Sequence, residues 1–193
     1  PETEILVEQC LKVFAQATSP VEILDLGTGS GILAIILAKE IPHSRIMAME
    51  QSAGALEIAR KNALHHAVMD RVTFISGDLM TADWQGPYHL IVSNPPYIES
   101  EAIPRCMPEV FQYEPIEALD GGREGLDYYR FIVPMAGQKL AEKGWLVLEI
   151  GHTQAEAVVG LMEKNSLYEN IQVVQDYSGY DRVVLARKRV LNG

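Results

Sequence analysis

The feature that most constrains this chain is a strand that turns through glycines straight into a helix: VEILDL at 21–26, GTGSG at 27–31, then ILAIILAKE at 32–40. A strand continued in this way returns across its own sheet, and the order repeats. Pro42 closes the helix and RIMAME at 45–50 reads as the next strand. A helix over Ala53–His66 follows, then strands VTFIS at 72–76 and YHLIVS at 88–93. Further on come a helix over Leu126–Lys143, the strand WLVLEI at 145–150 and a helix over Gln154–Asn165, with IQVVQD and RVVLAR as two late strands. Ahead of them all, apolar spacing from Glu4 to Ala17 predicts an amphipathic helix. The pattern predicts an α/β fold with a doubly wound, mostly parallel seven-stranded sheet and right-handed crossovers. Ligands of such sheets sit at the carboxyl ends of the strands. Here those ends are Gly27–Gly31, Glu50, Gly77–Asp78 and Asn94–Tyr97.

In DLGTGSG, Gly27 permits a tight turn, Gly29 lets a ligand approach the backbone, and Gly31 allows close packing of the following helix. A glycine-rich turn with no ligand is the competing reading. The third glycine comes one residue too early for a dinucleotide loop, whose position Ile32 holds. G-x-G-x-G after Asp25 instead resembles the first motif of S-adenosylmethionine-dependent methyltransferases, whose cofactor has no phosphate to bind. On that reading Glu50 accepts from both ribose hydroxyls, Asp78 accepts from the adenine amino group, and Leu79 packs on the ring. A solvated strand-end charge at Glu50 and an N-cap role for Asp78 are their plain alternatives. Asp25 orients the glycine loop, or meets the methionine amino group through water.

IVSNPPYIES at 91–100 poses a different problem, since two prolines cannot donate to a ladder and the strand must stop at Ser93 or Asn94. The result is a stiff loop carrying an amide, bare carbonyls and an aromatic ring. An amide or aromatic amine has a delocalised lone pair and two N–H donors. Two acceptors at its edge, the side-chain oxygen of Asn94 and the carbonyl of Pro95, would hold it and aim that lone pair at a methyl donor. Pro96 stiffens the edge and Tyr97 flanks the planar group. No strong base is required, because the methylated nitrogen is acidic enough for water to take the proton.

Composition limits the partners. Of 193 residues, 48% are hydrophobic and 22% charged, with net charge −10 and 16 Lys plus Arg spread thinly except at Arg187–Arg189. A phosphate-gripping protein ordinarily shows a basic face, so nucleic acid is disfavoured as the direct substrate. The longest apolar run, Ile32–Ala38, is far short of the roughly 20 residues a bilayer requires, so no membrane partner is expected. The two cysteines, Cys10 and Cys106, suit a reducing, cytoplasmic setting and receive no role. The five scattered histidines read as surface or cap residues, with no metal site. Thr3 and Glu4 either begin a helix or close over the cofactor, Tyr128–Arg130 pack on a helix, and the long segment Glu99–Glu124 is a substrate cover or a solvated loop.

Taken together, PETE at 1–4, DLGTGSG, SNPPYI at 93–98, YEPIEALDGGREGLDYYR at 113–130, LEIGHTQ at 148–154 and GYDRVVLAR at 179–187 resemble the catalytic domain of the HemK family. These are protein glutamine methyltransferases that act on the Gly-Gly-Gln loop of peptide-chain release factors. The resemblance extends over essentially the whole chain and implies a Rossmann-like methyltransferase domain at 1–193. NPPY alone is shared with adenine methyltransferases; the other segments are more specific. The resemblance implies that Asn94, Pro95, Pro96 and Tyr97 bind the glutamine. It implies too that Asp25, Gly27, Thr28, Gly29, Ser30, Gly31, Glu50, Asp78, Leu79 and Asn94 serve S-adenosylmethionine. Glu50 departs from the Asp of many members, and the helical recognition domain that usually precedes PETE is absent from these residues. A chain opening at Pro1 is expected to be a piece of a longer protein. Glutamine methylation of a ribosomal protein, adenine methylation in nucleic acid and a non-catalytic nucleotide-binding module are the alternatives; oligomeric state is left open.

Overall fold

The structure is a computed structural model and describes residues 3–14, 19–105 and 118–190. Its strands are β1 (Val21–Leu26), β2 (Ser44–Glu50), β3 (Val72–Ser76), β4 (Tyr88–Ser93), β5 (Leu140–Glu149), β6 (Tyr168–Gln175) and β7 (Asp181–Lys188). The helices are α1 (Thr3–Phe14), α2 (Ile32–Glu40), α3 (Ala53–His65), α4 (Asp127–Lys139) and α5 (Ala155–Lys164). They build one seven-stranded sheet in the order β3-β2-β1-β4-β5-β7-β6. β1 to β5 run parallel, while β7 enters antiparallel between β5 and β6. The predicted architecture is therefore the one observed.

Strands buried on both faces read as near-continuous apolar runs, and alternate residues divide between the two sides. Val21 and Ile23 of β1, with Leu90 and Val92 of β4, face a core shared with α1 and α2. Leu24, Leu26 and Ile91 face the other core, against Tyr129, Ile132 and Val133 of α4 and Val158 of α5.

Three boundaries differ from expectation by more than two residues. The helix predicted over 126–143 stops at Lys139, because Leu140 is already extended and pairs with Tyr88. The register then shifts before Leu90 meets Trp145, and Lys143 at φ 61 falls within that irregularity. β6 begins at Tyr168, where it pairs with Lys188, so it extends further back than its most apolar part indicates. The end of the first predicted helix at Ala17, along with Pro1, Glu2, Cys106 and the middle of the 99–124 segment, lies outside the described residues.

Candidate active site

The parallel register brings the predicted tips to one edge. Leu26 pairs with Met49 on one side and Ser93 on the other, and Glu50 pairs with Ser76. The chain thus leaves the sheet at Gly27, at Glu50, at Gly77–Asp78 and at Asn94, on strands spaced about 4.8 Å apart. Cross-links hold these exits together. Gly27 and Thr28 both donate backbone N–H to the carbonyl of Met49, at 2.9 and 3.0 Å, and Gly77 donates to that of Glu50 at 3.1 Å.

Gly29 and Gly31 adopt φ +55° and +81°, a region that L side chains rarely enter. A Cβ on Gly31 would stand 3.0 Å from that of Ala59, so this glycine lets α2 approach α3. A Cβ on Gly27 or Gly29 would meet nothing within 4 Å, so their open side can receive a ligand. Asp25, 1% exposed, accepts from the Thr28 hydroxyl at 2.6 Å and from the backbone N–H of Ala34. It thereby satisfies a donor in the first turn of α2, whose N-cap Gly31 has no side chain to offer. Burial pushes the Asp25 carboxyl up to about 7 against these two bonds, and the charge of Glu50 adds to the rise.

Glu50 spans the loop mouth: Oε2 accepts from Gly29 N–H and Oε1 from Ser52 N–H, each at 2.9 Å. Each carboxylate oxygen retains a further lone pair for a ligand hydroxyl. The Ser30 carbonyl accepts from Asn62 Nδ2 at 2.9 Å, which fastens the far side of the loop to α3. Asp78 forms the anticipated turn, accepting from Met80 N–H at 2.8 Å. Leu79 is 8% exposed and joins the core around Trp84, whose indole N–H donates to the Leu79 carbonyl at 3.1 Å.

β4 ends at Ser93 as the prolines require. Asn94 is exposed at the rim, Pro95 is buried, and Pro96 and Tyr97 are half-buried. Two contributors to this edge escaped the reading by residue type. The segment Leu119–Gly122 braces the loop: Ile98 donates to the Leu119 carbonyl, Gly121 to that of Ile98 and Ser100 to that of Gly122, at 2.8–3.0 Å. Gln154, 9% exposed, reaches the same loop from the start of α5. For these two, family-specific segments were the only signal. Tyr128 packs against the core as expected, and burial and then the charges of Asp78, Asp120, Glu50 and Asp127 push its phenol up.

The rim carries several carboxylates, of which Asp127 is paired with Arg130 at 3.2 Å, and the Arg187–Arg189 cluster lies elsewhere. β7 runs antiparallel, so Arg187 pairs with Trp145 near the start of β5, at the opposite edge of the sheet. There Lys188 donates to the Leu140 carbonyl at 2.7 Å and Arg189 to that of Tyr168 at 2.6 Å. Among the described residues no group of three His, Cys, Asp or Glu is placed to hold a metal, and no helix is long and apolar enough to cross a membrane.

Residues 2–123 match the family model described as methyltransferase small domain. A release factor glutamine methyltransferase of Geobacter sulfurreducens is 43% identical over 186 residues, covering 96% of this chain and 63% of the relative. That of Thermodesulfovibrio yellowstonii is 39% identical, covering 97% and 67%. The chain thus spans about two thirds of the length of these relatives. Among solved structures, the hMettl16 catalytic domain in complex with an RNA hairpin superposes with a TM-score of 0.73 at 16% identity, covering 100% of this chain and 72% of that one, a likeness of fold.

Proposed function

The chain belongs to the methyltransferase small domain family, with release factor glutamine methyltransferases as sequence relatives, and from that premise we propose that it methylates the side-chain amide nitrogen of a protein glutamine. The acceptor we propose is the Gly-Gly-Gln loop of a peptide-chain release factor, with S-adenosylmethionine as donor and residues 1–193 acting as one cytoplasmic catalytic unit. The observation that carries this reading is the exposed Asn94 at the end of β4, in register with the glycine loop after β1.

When bound, S-adenosylmethionine supplies a methyl group activated by a sulfonium. The protein's work is then placement. Glu50, pinned by Gly29 and Ser52, offers remaining lone pairs to the ribose hydroxyls; Asp78 offers its carboxylate to the adenine amino group. Thr28 and Ser30 keep the loop shaped through Asp25 and Asn62. Asn94 Oδ1 and the Pro95 carbonyl take the two N–H donors of the acceptor amide, turning its lone pair toward the cofactor, and the ring of Tyr97 flanks the amide plane. Orientation and exclusion of water carry the rate, and water removes the proton. Adenine in nucleic acid presents a similar amine, but the net charge of −10 and the carboxylates of Glu50, Asp78 and Asp120 oppose a phosphate backbone.

The test is Asn94→Ala. Methyl transfer to a release factor should fall to background while S-adenosylmethionine affinity, measured by calorimetry, changes little; unchanged turnover would refute the assignment.

A further inference from the structure

We infer that Gln154 is a positioning residue for methyl transfer, its carboxamide fixing the backbone of the Asn94–Tyr97 loop; the inference rests on the acceptor reading above. The side chain uses both ends. Nε2 donates to the Tyr97 carbonyl and to the Gly125 carbonyl, each at 3.0 Å, and Oε1 accepts from Gly151 N–H at 3.0 Å. One group thus joins three segments: the loop after β4, the turn before α4 and the turn after β5.

Two observations separate this from an ordinary helix cap. Gln154 occupies the N-cap of α5, where Ser, Thr, Asp or Asn would bond the helix's own N–H groups, yet its side chain makes no such bond. The site is also shaped to the clamp. Gly125, at φ +66°, leaves no space for a Cβ between the Tyr97 carbonyl and Gln154 Nε2, and a Cβ on Gly151 would lie 3.3 Å from the Tyr97 ring. Tyr97 is therefore held by its carbonyl and closely bordered along its ring. A carboxamide is the side chain that can donate twice in one direction and accept in another within a nearly closed space.

The experiment compares Gln154→Glu and Gln154→Met with the parent. Glutamate keeps the bond from Gly151 and suits a helix N-terminus, but it sets an oxygen against two carbonyls. Methionine keeps the volume and loses all three bonds. For both variants, hydrogen exchange at Ile98, Ser100 and Gly121 should quicken by about tenfold or more, while the amides of Gly27–Gly31 and of β1 are unmoved. Turnover of a release factor at saturating acceptor should fall by about a hundredfold, with affinity for S-adenosylmethionine kept within about threefold. Parental exchange and turnover in Gln154→Glu would overturn the clamp in favour of a cap, and exchange raised throughout the sheet would reduce it to general stability. If the parent itself methylates no release factor, the acceptor reading fails, while the exchange pattern still decides whether Gln154 holds the loop.

Discussion

The hydroxyl of Ser93 donates to the carbonyl of Leu26 at 2.8 Å, inside the sheet and shielded from water. These are the last residues of β4 and β1, so this bond sets Asn94 relative to Gly27. Ser93→Ala should cost about 1–2 kcal/mol, because it strands a buried carbonyl, and lower the melting temperature by about 2–4 °C per kcal/mol. Methyl transfer measured well below the melt should fall further than stability alone explains, since the neighbouring Asn94 loses its reference point. Melting curves beside steady-state rates check this.

How far the sequence disclosed this arrangement varied with the kind of interaction. Strands such as VEILDL and YHLIVS were legible because burial on both faces leaves an apolar run, and the prolines after Asn94 announced their own boundary. Start points such as Leu140 and Tyr168 were not, because pairing with Tyr88 and Lys188 decides them. Glu50 and Asn94 were legible as polar residues at strand tips. The packing of Leu79 beside Trp84, five residues on, was not legible either, because it depends on how the chain turns after Asp78. Gln154 carries no signal in its own neighbourhood that could reveal partners at Tyr97 and Gly125.

Glu50→Ala removes two backbone anchors of the glycine loop together with the proposed ribose acceptor. Affinity for S-adenosylmethionine should drop by about ten- to hundredfold, as for lost hydrogen bonds to a charged group, with the acceptor KM little altered. Calorimetry and an acceptor titration separate the two.

Asp25 makes the site sensitive to pH. Its ordinary value of 3.8 is raised to about 7 in the fold, so the folded chain holds a proton that the unfolded chain releases. Its contribution to stability is complete below about pH 4 and is lost as pH rises through about 7. In urea unfolding, the stability of the parent relative to Asp25→Asn should decline over that window and level off above it. A cationic ligand nearby favours the ionised carboxylate, so affinity for S-adenosylmethionine should rise through about pH 7 in the parent and lose that step in the variant.

Gly125→Ala forces a side chain into a left-handed backbone position and against the Tyr97 carbonyl. The strain and overpacking should cost about 2–4 kcal/mol. Combined with Gln154→Met, the loss of turnover should be less than the product of the two separate losses, because both changes release the same loop.

The central claim is that a protein glutamine, and not a nucleic acid base, receives the methyl group. The direct measurement is transfer of labelled methyl from S-adenosylmethionine to a purified release factor, to the same factor with the glutamine of its Gly-Gly-Gln loop replaced, and to RNA and DNA, with tandem mass spectrometry locating the label. The account predicts label on the unaltered factor alone, at the glutamine side-chain nitrogen. Label on adenine, or equal labelling of the two factors, would contradict it.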